Sequence, residues 1–269
     1  MRKINWSRYF GDKAFYKTLM AIAVPVMLQN GLTNLVSLLD NIMVGAVGTE
    51  QMSGVSIVNQ LLFVFNLCIF GGLSGAGIYT AQFYGKGDQE GVRHTFRFKM
   101  MLALSLFVIG TGVFLAFGDT LIAQYLHEGG DTGDIAATAQ YGADYLKVML
   151  WGLLPFAVQQ AYASNLRETG ETVLPMKAGI VAIFVNLVLN YVFIFGHFGA
   201  PAMGAAGAAL ATVIARYVEC AIVIVWTHTH KEKAPFIVGA YKSPYVPREL
   251  VGSIFSKGMP LLVNEFLWS

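Results

Sequence analysis

The chain has 269 residues, of which 55% are hydrophobic and 13% charged. Soluble domains carry roughly 25% charged residues, so lipid rather than water is the expected solvent for most of this chain. A formal net charge of +2 is too weak to argue for a nucleic-acid partner, and the first apolar stretch is too long for the h-region of a cleaved signal peptide.

A helix that crosses a bilayer needs about 20 mostly apolar residues. In chain order, segments qualify at approximately 18–44, 53–83, 100–126, 141–166, 175–197 and 203–227. A seventh starts near Val251 and is still apolar at Ser269, where the sequence stops. The runs are continuous and do not alternate, which excludes a β-barrel. The expected organisation is a cytoplasmic segment over 1–17, a lobe of six transmembrane helices over 18–227, an inter-lobe linker over 228–250 along the membrane surface, and an incomplete seventh helix over 251–269.

Lysine and arginine orient these spans. Arg2, Lys3, Arg8, Lys13 and Lys17 precede the first. Lys86, Arg93, Arg97 and Lys99 follow the second, Arg167 follows the fourth, and Lys177 lies just inside the fifth. With Lys231, Lys233, Lys242, Arg248 and Lys257 near the linker, sixteen of the eighteen cationic residues fall on one side. Glu50, Asp119, Glu128, Asp131 and Asp134 fall on the other. The positive-inside rule then places the N-terminus in the cytoplasm of a multi-pass inner-membrane protein.

Two cysteines, Cys68 and Cys220, sit in apolar runs with neither metal nor disulfide spacing. His228 and His230 supply two metal ligands, fewer than a site needs. The cluster Gly71-Gly72-Leu73-Ser74-Gly75-Ala76-Gly77 resembles the nucleophile motif of intramembrane serine hydrolases. A serine nucleophile needs a base within reach, and no histidine lies inside a span: His94 is expected in a loop and His197 at a helix end. Small residues that let helices approach closely are the better reading, and Gly204 to Ala209 reads the same way. No enzymatic activity and no cofactor are expected.

Ionisable groups inside a span are expensive and by default mark a pathway or coupling site. Asp40, Arg216, Glu219 and Glu265 are such groups. Asp40 lies near the outer end of the first span. Asn186 and Asn190, four residues apart, share a face of the fifth, and Thr212 lies in the sixth. At about 1.5 Å per residue these four fall at comparable depth in the outer half of the bilayer. Their oxygens suit a small hard cation, and the carboxylate can instead take a proton. Arg216 and Glu219, three residues apart, can pair with each other.

An internal repeat joins Pro25-Val-Met-Leu-Gln-Asn30 in the first span to Pro260-Leu-Leu-Val-Asn-Glu265 in the seventh. Parallel repeats of this kind build transporters with two pseudo-symmetric lobes.

Several motifs now carry a resemblance. Asp40-Asn-Ile-Met-Val-Gly45 resembles the end of the first helix of the multidrug and toxic compound extrusion (MATE) family. Gly75-Ala-Gly-Ile-Tyr-Thr-Ala-Gln-Phe-Tyr-Gly85 resembles its second helix and following turn. Asn186-Leu-Val-Leu-Asn190, Ile194-Phe-Gly196 and Pro201-Ala-Met-Gly204 resemble its fifth helix and outer turn, and Pro260 to Trp268 the start of its seventh. The resemblance implies an all-α polytopic fold of twelve helices in two six-helix lobes. It implies export of small organic cations against inward flow of sodium ions or protons. Asp40, Asn186 and Asn190 match the N-lobe coupling positions, Thr212 a sixth-helix ligand, and Glu265 the acidic residue of the C-lobe. Many members carry aspartate where this chain has Asn190, which removes one proton acceptor. On this reading the chain is a truncated, inactive half whose partner is the missing second lobe. A lipid-linked oligosaccharide flippase of the same superfamily is the alternative. It needs a cationic cavity, and Arg216 is the only arginine expected inside the membrane.

Overall fold

The computed structural model describes residues 13–128 and 134–268. Every regular element among them is helical: α1 (Lys13–Gly45), α2 (Thr49–Gly85), α3 (Gln89–Glu128), α4 (Ile135–Met149), α5 (Leu153–Glu168), α6 (Val173–Phe195), α7 (Ala205–Thr229) and α8 (Arg248–Trp268). Arg2, Lys3, Arg8 and Asp131 lie outside the described residues, as do the side chains of Glu128, Lys257 and Glu265.

Local chemistry sets the helix ends. Asp88 accepts hydrogen bonds from the Glu90 and Gly91 amides at 3.1 and 2.9 Å and opens α3 after a turn at Gly87. Asp134 caps α4 by accepting from the Ala137 amide at 3.0 Å, satisfying a donor that the first turn leaves unmatched. Gly196, with φ 75°, closes α6 in the left-handed conformation that only glycine adopts cheaply.

Of the six expected crossings, four are made by single helices that are long and apolar enough on their own: α2, α3, α6 and α7. The fourth crossing is shared by α4 and α5, of 15 and 16 residues, joined by the 3₁₀ turn Leu150–Gly152. The first is α1, 33 residues long, or about 50 Å at 1.5 Å per residue. Its apolar sequence is interrupted by Gln29, Asp40 and Asn41, which line the central cavity.

α2 is the hub. It packs on α3, α4, α5 and α8, while α7 packs on α6, α4 and α5, and α1 lies chiefly against α6. Only 6% of the most apolar stretch of α3 is buried, and Val108, Ile109, Leu115 and Phe117 point outward. In water that face would be a large unpaired apolar patch; in a bilayer it is the lipid contact. The main core fills the space between α2, α4, α5 and α7 with Val58, Ile69, Leu153 and Ala209.

The glycine cluster does what small residues do at helix crossings. A Cβ on Gly75 would stand 2.6 Å from the Gly258 Cα, so α2 and α8 cross backbone to backbone. The Ser74 hydroxyl donates to its own helix at the Gly71 carbonyl, 2.8 Å away.

Several expectations about the basic end are corrected. α3 begins at Gln89, so Arg93, His94, Arg97 and Lys99 stand on its first turns and not in a loop. Lys99 is fully buried and ion-paired to Glu168 of α5. Arg167 belongs to the last turn of α5. The linker folds back onto the helix ends. A 3₁₀ turn, Pro235–Ile237, buries Phe236 and Ile237 beside Phe96 and Tyr162. Arg97 then donates to the carbonyls of Ala240, Gly239 and Tyr245 at 2.7, 2.8 and 3.2 Å. His228 bonds the Tyr162 hydroxyl at 3.1 Å while His230 stacks on Trp226, so the two rings serve different neighbours.

Candidate functional site: a polar cavity inside the helical lobe

Inside the bundle lies a cavity of about 730 Å³. Every helix from α1 to α7 except α3 lines it. α6 and α7 are joined by a short turn and run antiparallel, so their cavity faces make matched rungs. At one rung, the outer one in the expected orientation, the Asn186 amide donates to the Thr212 hydroxyl at 3.1 Å. At the inner rung, seven residues back along α6, Gly179 leaves room for Gln29 of α1 and Glu219 of α7 to converge; a Cβ there would stand 2.9 Å from the Gln29 amide nitrogen and 3.5 Å from Glu219 Oε1. The rungs are about 10 Å apart at the helical rise.

The outer rung continues across to α1. Asn190 Nδ2 donates both to Asp40 Oδ1 at 2.5 Å and to Asn186 Oδ1 at 3.1 Å. Asp40, Asn190, Asn186 and Thr212 thus form one hydrogen-bonded chain across three helices. Asn190 is fully buried and Asn186 nearly so, while Asp40 is half-buried and faces the cavity. Asn190 Oδ1 is buried with no hydrogen-bond partner. A buried acceptor without a donor is costly, and beside a carboxylate it is the donor type that a hard cation takes. Glu265 stands on α8, and its side chain is outside the described residues.

At the inner rung Glu219 Oε1 accepts from Gln159 Nε2 at 2.9 Å. Arg216 and Glu219 act on each other electrostatically but make no ion-pair contact within 4 Å. Arg216 Nη1 donates to the Gly152 carbonyl at 3.3 Å and the guanidinium lies 4.9 Å from the Phe156 ring centre. Glycine at 152 makes this possible, since a Cβ there would crowd the Arg216 side chain at 3.3 Å. Arg167 also lines the cavity, so Arg216 is not the only arginine within the membrane-embedded lobe. Gln160 of α5, Asn59 and Asn66 of α2, and Tyr145 of α4 complete the polar lining; the Tyr145 hydroxyl donates to Asn59 at 3.2 Å. Sequence reasoning missed these, although the signal was present. Asn59 and Asn66 are seven residues apart, as are Gln160 and Arg167 and also Thr212 and Glu219. That is two helical turns and hence one face.

An all-helical bundle with apolar flanks and a polar cavity between its helices is the architecture of a polytopic membrane protein. The MatE family model matches residues 25–192, more than half of the chain, and the chain belongs to that family. It is 33% identical over 253 residues to the probable multidrug resistance protein NorM of Thermotoga maritima, covering 94% of this chain and 52% of that one. It is 30% identical over 196 residues to the multidrug resistance protein MdtK of Yersinia pestis, covering 73% of this chain and 41% of the relative. The chain therefore spans about half the length of the curated relatives it matches. The fold is that of a multidrug resistance MATE family transporter of the MOP superfamily in an outward-facing conformation. The TM-score is 0.78 at 22% identity, over 93% of this chain and 52% of that structure. The relatives bear the names of multidrug resistance proteins, and the chain is a multi-pass membrane protein.

Proposed function

We propose that this chain supplies one lobe of a cation-coupled antiporter that exports small organic cations, with Asp40, Asn186, Asn190 and Thr212 as the coupling station. The observation that carries the reading is the unpartnered Asn190 Oδ1 buried beside the Asp40 carboxylate at the outer rung of the cavity. A sodium ion or a proton at Asp40 completes that set. Sodium is held by oxygens of Asp40, Asn190 and Asn186, and a proton neutralises the carboxylate. Glu265 is the corresponding acidic group of the facing lobe. The N-terminus and the 228–250 linker are cytoplasmic in this reading, in the inner membrane, with the lobe proper over 18–227 and the next lobe opening at 251. Export in two-lobe transporters comes from one repeat moving against the other around a shared site. The 269 residues supply one wall of it, so gradient-driven uptake of a cationic dye by this chain alone is expected to be absent unless two copies face each other.

The coupling station is tested on the purified chain. Sodium or a drop in pH should raise its thermal unfolding midpoint, and Asp40→Asn should remove the response while leaving the helical signal intact. A response that survives in Asp40→Asn would exclude this carboxylate. Cysteine at Glu50 should be labelled from outside the cell; labelling from the cytoplasm alone reverses the orientation.

A further inference from the structure

Gln159 of α5 and Glu219 of α7 meet through one half of each group. Gln159 Nε2 donates to Glu219 Oε1 at 2.9 Å. The other end of the same amide, Gln159 Oε1, is buried without a hydrogen-bond partner, on a residue only 2% exposed. Among the described residues the second carboxyl oxygen, Glu219 Oε2, accepts no hydrogen bond, and Glu219 lines the cavity. A buried acceptor without a donor is costly.

An ionised carboxylate cannot relieve that cost, because it only accepts. A protonated carboxyl carries one O–H donor and keeps an acceptor oxygen. A primary amide has the complementary set. An acid and an amide facing each other therefore close a ring of two hydrogen bonds, amide N–H to acid carbonyl and acid O–H to amide carbonyl. The first bond of that ring is present. Its missing member is an O–H, which a proton on Glu219 Oε2 supplies.

Charged neighbours oppose the proton. Arg216 on α7 and Arg167 on α5 both attract the ionised carboxylate. Asp40 of α1 and Tyr145 of α4 are the other titratable groups that line the cavity, and the Cys220 thiol adjoins Glu219 on α7. α2 and α6 present amide, small and apolar side chains there, among them Asn59, Asn66 and Gly179. Proton and arginines thus compete for one carboxyl group. With the proton off, Glu219 answers the guanidinium groups. With it on, the ring with Gln159 closes and the cavity gains one positive charge.

We propose that Glu219 is a second proton-binding residue of the cavity, with Gln159 as the residue that positions its proton. The site is separate from Asp40, which bonds to Asn190 of α6. An ionisable group inside a span is the usual material of a proton relay. The inference deepens the export reading, because a cavity made more positive by a proton releases a cationic cargo more readily, and it rests on that reading only for this consequence.

The test is infrared difference spectroscopy of the full 269-residue chain in phosphatidylcholine nanodiscs, between alkaline and acidic buffer, over the range in which the helical signal is retained. A protonated carboxyl has its own carbonyl stretch. Carbon-13 in the glutamate carboxyl groups lowers that frequency and leaves aspartate unmoved. Asp40→Asn serves as the background, so a failure of the coupling station and a failure here read differently. Acidification should raise a glutamate acid band that Glu219→Gln removes and Lys147→Gln, on the exposed face of α4, leaves in place. Gln159→Met should keep the band but move it to higher frequency, since the acid carbonyl loses its N–H donor. A merely structural role for Gln159 would change stability and leave the frequency alone. The proposal is overturned if every glutamate acid band survives in Glu219→Gln. An unchanged spectrum in Gln159→Met overturns it as well, and decides the matter if Glu219→Gln does not fold.

Discussion

The two ends of this lobe differ in how their charged groups are met, although each keeps buried atoms without a partner, Arg93 Nε and the Asn165 amide near the linker and Asn66 Oδ1 and Asn190 Oδ1 in the cavity. At the linker end, Lys99 and Glu168 neutralise each other against Gly77, and Arg97 chelates three linker carbonyls. In the cavity, Asn190 Oδ1 has no partner, and Arg216 and Arg167 make one long bond each. Groups whose capacity is met hold helices together. Unmet groups are costly in a membrane, and those that line the cavity are the ones the proposed function would use. Charge alone does not separate the two ends, since both contain arginine and a carboxylate; what differs is that the cavity groups face an open space.

That contrast can be broken at its firmest point. Lys99→Met strands the partly buried Glu168 carboxylate, and losing one member of a fully buried pair, about 3–5 kcal/mol, sets the upper bound. Thermal or denaturant unfolding in detergent should show a drop within that bound, and adding Glu168→Met should recover most of it. If Lys99→Met is neutral, the pair is not structural and the contrast fails.

A smaller effect is expected at the linker clasp. Arg97→Ala removes three hydrogen bonds from a charged donor, each of about 1.5–3 kcal/mol, but the loss is local because the linker can open without the lobe unfolding. Limited proteolysis should cut between Lys231 and Arg248 sooner than in the unmodified chain, with the global unfolding midpoint shifting much less than for Lys99→Met.

The helix crossing at Gly75 comes next. Gly75→Ala places a methyl 2.6 Å from the Gly258 Cα, and relieving such overpacking costs about 1–3 kcal/mol. Phe98 and Phe255, whose rings lie edge to face at 5.8 Å, offer a local reporter. Cysteines at these two positions should crosslink readily with Gly75 in place and slowly with alanine there.

The smallest stability change is predicted where function is proposed. Asp40→Asn keeps size and an oxygen that can accept from Asn190, so the unfolding stability without added cation should move by less than about 1 kcal/mol, whereas the cation response should disappear. A large loss of stability with the response retained would move Asp40 into the structural class.

Much of the outer rung was legible before any fold was known. Asp40, Asn186, Asn190 and Thr212 stand out because each is a polar residue in an apolar run, and helical rise alone puts them at one depth. The inner rung was not. Arg167 reads as one of many basic residues at a helix end, where snorkelling to water is the usual fate of a long side chain. Here it turns back to Gln160 and into the cavity. Arg216 and Glu219 have the three-residue spacing of an ion pair, yet each takes a partner from α5 or the turn before it. Spacing measures neighbours on one helix and is blind to what another helix offers at the same level.

The sequence by itself determined the apolar surroundings of most of the chain, the helical class and the order of the helices. These follow from local properties: hydropathy over a window, backbone hydrogen bonds that must close within a segment in lipid, and a fixed rise per residue. Which polar residues meet, and whether each is left satisfied or waiting, was decided by tertiary structure alone. Asn190 finds Asp40 across 150 positions of chain, Lys99 finds Glu168 across 69, and Arg97 finds Ala240 across 143. Such meetings depend on how α1, α5 and the linker pack around α2 and α7, and no periodicity along one helix contains that information.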